Sequence, residues 1–282
     1  MNVLTVDLEE WFHILDNDST RTEDEWVRFE SRFEENAIRV VRILQKKGVH
    51  ATFFVLGWIA RKYPDIIKEI SSLGYEIGSH SDMHQLVYKQ SEKDFARDLA
   101  NSIESIERIT GKRVRCYRAP GFSITADSKW VFPILASNGI EIDCSIFPAR
   151  RAHGGYKEFE HAKPVILCGD GYEIKELPIS IRNILKLPIA YSGGGYFRLL
   201  PYKAIASLMG QDDYNMMYFH PRDFDNNQPI IKDLSLIRRF KSYYGLRGAY
   251  RKFERLLDSF DFVDVGQFVN ETNWNDVERI HL

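Results

Sequence analysis

Short apolar runs alternate with longer amphipathic ones along nearly the whole chain, and this alternation constrains the fold more than any other feature. "NVLTVD" (2–7) is apolar, β-branched and too short for a helix, so it predicts a strand. Residues 32–48 carry Ile38, Val41, Ile43 and Leu44, then lysines and Gly48, the pattern of a helix with its stop. The same reading predicts strands at 50–57, 75–78, 114–118, 140–145, 172–179, 215–220 and 262–265. It predicts helices at 91–110, 126–138 and 201–210, the last opening on Pro201, and helical structure over 233–258 broken near 243–248. Seven or eight such units in 282 residues predict an α/β fold: a closed or nearly closed parallel β/α barrel, with an open doubly wound sheet as the alternative. No GxGxxG follows the first strand, which weighs against a dinucleotide site.

Composition narrows the function. Charged residues are 28% of the chain and the formal net charge is −2, so there is no basic excess of the kind nucleic-acid binders carry. Cys116, Cys144 and Cys168 are odd in number and form no CxxC pair, which argues against a disulfide framework and fits a reducing compartment. The opening "MNVLTVDLEEWFH" lacks the basic start and long apolar stretch of a signal peptide, and no stretch is long and apolar enough to cross a bilayer. The expected location is cytoplasmic.

In a β/α barrel the site lies at the C-terminal ends of the strands. There the predicted strands deliver Asp7 with Glu9 and Glu10 just beyond, His80, Arg118, Asp143 and His220. Charges are seldom buried without partners, so five strands ending alike are hard to explain by packing. In "GSHSDMH" (78–84), His80 and His84 stand at i, i+4, the spacing that puts two side chains on one helix face. Two imidazoles plus a carboxylate form a common catalytic metal set that leaves a position for water. A solvent-facing turn is the plainer reading of the pair.

The stretches "TVDLEEWFH" (5–13), "HSDMH" (80–84), "RAPGFS" (118–123), "IDCSIFP" (142–148) and "YFHP" (218–221) occur in the order of the motifs of NodB-type polysaccharide deacetylases, carbohydrate esterase family four. The chain resembles that family from residue 2 to about 225. "GGGYFRLLPY" (193–202) with "HPRDFD" (220–225) is similar to the subgroup associated with exopolysaccharide and O-antigen biosynthesis. The resemblance implies a distorted (β/α) barrel of about seven parallel strands, and one domain over 1–282 with 230–282 as a C-terminal extension. It implies a divalent metal, zinc first, and hydrolysis of the N-acetyl amide of an amino sugar. By motif, Asp7 resembles the catalytic base, Arg118 its charge partner, His80 and His84 the metal ligands, Asp143 the residue orienting the catalytic histidine, and His220 the acid.

One departure stands out. Leu8 occupies the place of a second, metal-binding aspartate, so Glu9 becomes the third ligand, with Glu10 in reserve. Substrate-side candidates are Trp11, which stacks on sugar or packs in the core, Pro120 and Gly121 of the RAPG turn, and Gly194, Gly195 and Tyr196 of the glycine-rich stretch. His13 lines the site or sits in a loop, and His153 and His161 read as loop histidines. The expected partner is an N-acetylated, nucleotide- or lipid-linked sugar or glycan. The basic stretch 238–252 reads as a solvated helix face or as a peripheral contact with a membrane or a phosphate-bearing carrier. Two other readings stay open: a metal-independent hydrolase of cyclic amides, and a non-catalytic glycan-binding protein on the same fold.

Overall fold

The structure, a computed structural model, describes residues 1–151, 154–184 and 187–282. Its strands are β1 (Asn2–Leu8), β2 (Thr52–Val55), β3 (Glu76–Ser79), β4 (Cys116–Tyr117), β5 (Ile142–Asp143), β6 (Val165–Gly169), β7 (Tyr172–Glu176), β8 (Arg182–Ile184), β9 (Leu187–Ile189), β10 (Asn215–Phe219), β11 (Phe262–Val263) and β12 (Arg279–His281). The α-helices are α1 (Glu23–Trp26), α2 (Phe33–Lys47), α3 (Gly57–Lys62), α4 (Pro64–Ser72), α5 (Glu92–Thr110), α6 (Val131–Ser137), α7 (Gly194–Leu199), α8 (Tyr202–Met209), α9 (Leu236–Tyr243), α10 (Leu246–Ser259) and α11 (Val265–Glu271).

Seven strands run parallel in the order β10-β1-β2-β3-β4-β5-β7. Beyond β7 the sheet continues with β6, antiparallel to it, and then β12, while β11 pairs with the start of β1. No regular ladder joins the two ends of the parallel run among the described residues. Irregular chain spans the gap instead. Leaving β7, Leu177 and Ile179 donate to Asp143 and Ile146 carbonyls at 2.9 Å each. Ser180 Oγ then accepts from Met216 N at 2.8 Å, and Ser192 O accepts from Tyr218 N at 2.9 Å, both on β10. The result is a distorted barrel.

Two cores follow from the period-2 alternation of the strands. On β1, Leu4, Val6 and Leu8 join the large apolar layer under the helices, while Val3 joins the barrel interior with Phe54, Cys116, Ile142, Leu177 and Met216. Thr5 and Asp7, on the inward side, meet Arg118 there at 2.7 and 2.8 Å. The helices are built as their sequences suggest. In α5, Ser91 Oγ accepts from Asp94 N at 3.1 Å as N-cap, and Gly111 ends the helix in the left-handed region at φ 65°.

Several boundaries differ from expectation. The strands expected over 114–118 and 140–145 shrink to two residues each, although single bonds continue the alignment: Arg118 N to Ser79 O and Cys144 N to Tyr117 O, both 2.9 Å. The chain veers there because both segments lead into the turns that deliver site residues. The helix expected over 126–138 is a 3-10 turn (Ala126–Ser128) followed by α6. Strand β6 was not anticipated, although "CGDGY" marks its hairpin with β7, Gly171 taking φ 79°. After residue 230, β11 and β12 both join the main sheet.

Candidate metal and catalytic site

The inward alternation of β1 carries past its last residue. Asp7 and Glu9 face the same side, while Leu8 is fully buried in the outer layer. Glu10 turns away: its carboxylate accepts from Ser31 Oγ, from Tyr63 OH at 3.3 Å and from Arg32 N at 3.2 Å. The carboxylate that meets the imidazoles is therefore Glu9, whose Oε2 lies 2.6 Å from His84 Nε2. Glu9, His80 and His84 each offer a ligand atom within 4.8 Å of the others.

His80 and His84 do not share a helix face. They sit on the irregular loop after β3, and Ser81 (φ 73°) and His84 (φ 53°) take left-handed backbone despite their side chains. The loop is held in that shape. Asp98 accepts from Asp82 N at 2.8 Å and Met83 N at 3.0 Å, Arg61 grips the Asp82 carboxylate at 2.6 and 3.2 Å, and Ser81 Oγ accepts from His84 N at 3.0 Å. His80 Nδ1 donates to Arg118 O at 2.8 Å, which fixes its tautomer and leaves Nε2 as a free lone pair. Burial pushes the His80 pKa down to about 4, so the ring is neutral at physiological pH.

This set fits a divalent ion. It offers two imidazoles and one carboxylate, and the only polar group set against the buried Glu9 Oε2 is His84 Nε2, itself a candidate ligand. Burial opposes ionisation of Glu9, but His84 and His220 outweigh it and hold the carboxyl below its usual range. His13 stacks behind His84, centroids 5.5 Å apart, and its Nδ1 accepts from Glu10 N at 3.3 Å. It backs the site rather than entering it.

Beside the cluster stand a further carboxylate and a further imidazole. Asp7 Oδ1 is bound by Arg118 Nη1 at 2.8 Å, while Oδ2 lies 3.8 Å from His220 Nε2. The Arg118 guanidinium is fully buried against the Phe54 ring, 4.3 Å from its centroid. His220 Nε2 is also 3.6 Å from Glu9 Oε1. The His220 side chain is 23% exposed, against 7% or less for Asp7, Glu9, His84 and Arg118, so the site opens on its side. Burial alone would depress its pKa, yet Glu9 and Asp223 raise it to about 9, leaving it an imidazolium at neutral pH.

Asp223 is the residue the motif reading missed. His220 ends β10, and the 3-10 turn Pro221–Phe224 folds Asp223 back onto it. Its Oδ2 accepts from His220 Nδ1 at 3.1 Å and from His220 N at 2.9 Å. Arg198 of α7 pairs with the other oxygen. The signal lay in the i, i+3 spacing of "HPRD"; Arg198 had none, because only tertiary folding brings α7 there.

Three expectations need correction. Asp143 does not orient His220. It accepts from Ser145 Oγ and faces Glu176 in the barrel interior, where burial raises both carboxyls above their usual range. The reason is topological: β5 sits between β4 and β7, whereas β10 lies beside β1. Trp11 has no face for a sugar. It is 3% exposed, wedged edge-on against Phe12 and Phe29, and its Nε1 donates to Glu30 O at 2.9 Å. The helical spacing of His80 and His84 is the third.

The remaining candidates divide. Gly194 lies against His220, since a Cβ there would stand 3.9 Å from His220 Cε1. Gly195 and Tyr196 are exposed, and a Cβ on Gly195 would stand 3.6 Å from Lys241 O, beside the end of α9. Pro120 and Gly121 form a turn that sets Phe122 edge-on to Tyr218, centroids 4.8 Å apart. His161 pairs with Glu278 at 3.1 Å, far from the cluster in the fold, and His153 lies outside the described residues.

Comparison with known proteins bears on this arrangement. Residues 19–139 match the family described as polysaccharide deacetylase, and residues 144–270 match a domain of unknown function. A peptidoglycan-N-acetylglucosamine deacetylase of Bacillus cereus is 31% identical over 93 residues, covering 33% of this chain and 34% of that protein. A peptidoglycan-N-acetylmuramic acid deacetylase of Bacillus subtilis is 29% identical over 103 residues, covering 36% and 39%. The chain thus spans little more than a third of these curated relatives. A crystal structure from Mycobacterium smegmatis, provisionally named a polysaccharide deacetylase, superposes with a TM-score of 0.67 at 20% identity, covering 100% of this chain and 92% of that one. That likeness shows the α/β fold.

Proposed function

We propose, for a chain whose residues 19–139 match the polysaccharide deacetylase family, that it hydrolyses the N-acetyl amide of an amino sugar in a glycan or glycan precursor. The observation that carries this reading is the pairing of Asp7 and His220, a carboxylate and an imidazolium 3.8 Å apart beside Glu9, His80 and His84. An amide is a poor electrophile and its amine a poor leaving group. Hydrolysis needs an activated water, a stabilised oxyanion and a proton for the nitrogen.

Glu9, His80 and His84 would hold a divalent ion, zinc in our reading, which supplies Lewis-acid activation of water and carbonyl when bound. Asp7 takes the proton of the attacking water on Oδ2, because Arg118 occupies Oδ1. His220 gives its Nε2 proton to the departing nitrogen, while Asp223 holds Nδ1 and favours the charged ring. Neither Cys116 nor Cys144 serves as a nucleophile: burial raises both thiols well above their usual range.

The finer reading is a single domain over 1–282 acting in surface-polysaccharide synthesis, of the O-antigen or exopolysaccharide kind, in the cytoplasm. Its substrate would be a nucleotide- or lipid-linked N-acetylated sugar, met by Gly194, Gly195, Tyr196 and the RAPG turn of Pro120 and Gly121. The test is acetate release by zinc-loaded protein from N-acetylated oligosaccharides and from nucleotide-linked N-acetylhexosamines. Asp7→Asn should keep its metal and lose about 10²–10⁴-fold in rate. Full activity in that variant rejects the base, and activity undiminished by chelation rejects the metal and favours the cyclic-amide type of chemistry.

A further inference from the structure

Helix α9 is built the wrong way round for a helix on a water-facing surface. Such a helix turns its apolar stripe to the core. In α9 no residue is buried, and Leu236, Ile237 and Phe240 are 83%, 69% and 53% exposed. Apart from the Tyr243 ring, which packs against the core, its inward contacts are polar. Arg238 donates to the carbonyls of Leu15 and Asp16, and Tyr243 OH accepts from Ile231 N at 2.9 Å. The apolar face is thus held outward by hydrogen bonds on the opposite side.

The patch is larger than one helix. Tyr244 packs against Phe240 at a tilt with centroids 4.7 Å apart, and Tyr196 and Leu199 of α7 are exposed. Arg198 joins the two segments, donating to the carbonyls of Lys241 (2.7 Å), Tyr244 (3.1 Å) and Ser242 (3.3 Å). Six of the eleven large apolar side chains that stand exposed among the described residues therefore belong to these two tied segments. A contiguous patch of this kind marks an interaction surface.

Charge identifies the occupant. Residues 230–251 contain six basic side chains (Lys232, Arg238, Arg239, Lys241, Arg247 and Arg251) and one acid, Asp233, in a chain whose net charge is −2. All six but Arg238 are exposed and make no ion pair among the described residues. An apolar stripe flanked by uncompensated cations is the pattern of a helix lying in the interface of an anionic membrane. A second copy of the chain fits poorly, because a two-fold contact through this face sets the same cations against each other. A glycan fits poorly too, because sugars stack on aromatic faces and the most exposed positions here are Leu236 and Ile237.

We propose that α9, with the exposed turn of α7, docks the protein on an anionic lipid bilayer. The same Arg198 that ties α7 to α9 grips Asp223, the partner of His220. Docking therefore sets the open side of the site next to the headgroups, where a sugar on a lipid carrier would stand. That last use rests on the function proposed above; the docking itself does not.

The test is flotation of the full chain with vesicles of phosphatidylcholine alone and of phosphatidylcholine with phosphatidylglycerol. The wild type should float with the second and release at high salt. Leu236→Ser/Ile237→Ser/Phe240→Ser should lower partitioning by about tenfold or more, with its circular dichroism unchanged because the three side chains support no core. Arg239→Glu/Lys241→Glu should lose the preference for phosphatidylglycerol. Absence of wild-type flotation, or flotation unaffected by the triple substitution, overturns the proposal. So does a wild-type dimer in solution that the triple substitution dissociates. Flotation without acetate release separates this surface from the deacetylase reading, since each measurement fails independently.

Discussion

His220 carries the sharpest residue-scale consequences. Its folded pKa is about 9 against an ordinary value of 6.5. A raised value contributes stability that is fully present below the unfolded pKa and is lost as pH rises through the folded one. Asp223 is held down at about 2, so it stays ionised throughout that window. In chelator-treated protein, the excess stability of wild type over Asp223→Asn should therefore shrink as pH climbs from about 6.5 to 9. Thermal melts read this directly, and a constant difference would remove Asp223 as the partner of His220. Asp143→Asn is the comparison: Asp143 engages Ser145 and Glu176 rather than His220, so the further loss caused by Asp223→Asn should be the same in its background. For the metal, elemental analysis should find about one ion per wild-type chain and none in His80→Ala/His84→Ala. Glu9→Gln should weaken affinity by more than the roughly 10–100-fold typical of losing an outer partner. Retention of the ion in the double variant would show that it binds elsewhere.

At the scale of elements, the alternation of β1 explains why a leucine can stand where a second aspartate is usual. Asp7 and Glu9 share the inward side, so Glu9, one residue along and one methylene longer, can stand as the proposed ligand, and Leu8 is freed for the helical layer. Leu8→Asp should then gain no metal affinity and should cost several kcal/mol by burying an unpaired carboxylate. Tighter metal binding in that variant would mean the strand register is wrong. Period-2 and period-3.6 patterns made β1, β2, β3, β10, α2 and α5 readable in the sequence, and strand ends pointed to Asp7, His80, Arg118 and His220. What escaped was tertiary. A loop with two left-handed residues imitates helical spacing at His80 and His84. The neighbour of β10 is β1 rather than β5, which takes Asp143 out of reach of His220. Arg198 approaches Asp223 only because α7 folds over the end of β10.

For the whole molecule, the residues after 230 are woven into the barrel. Strand β11 pairs with β1, and Phe253 of α10 stacks on Phe224 at 4.7 Å and meets Phe219 at 4.9 Å, next to His220. A chain ending at 230 should therefore lose near-UV dichroism and metal binding together; a truncated protein with an intact metal site would show the segment to be dispensable. The buried guanidinium of Arg118 has a different consequence. It spans the barrel from β4 to β1 and is flanked by Phe54 and Met216, so the floor beneath Asp7 is sealed. A cleft with a closed bottom is a cul-de-sac. On the proposed reaction, acetate formed beside Asp7 has no back door and must leave past the sugar, or after it. Release is then ordered by traffic at a single mouth, and the cleaved glycan leaves first whenever it blocks the way.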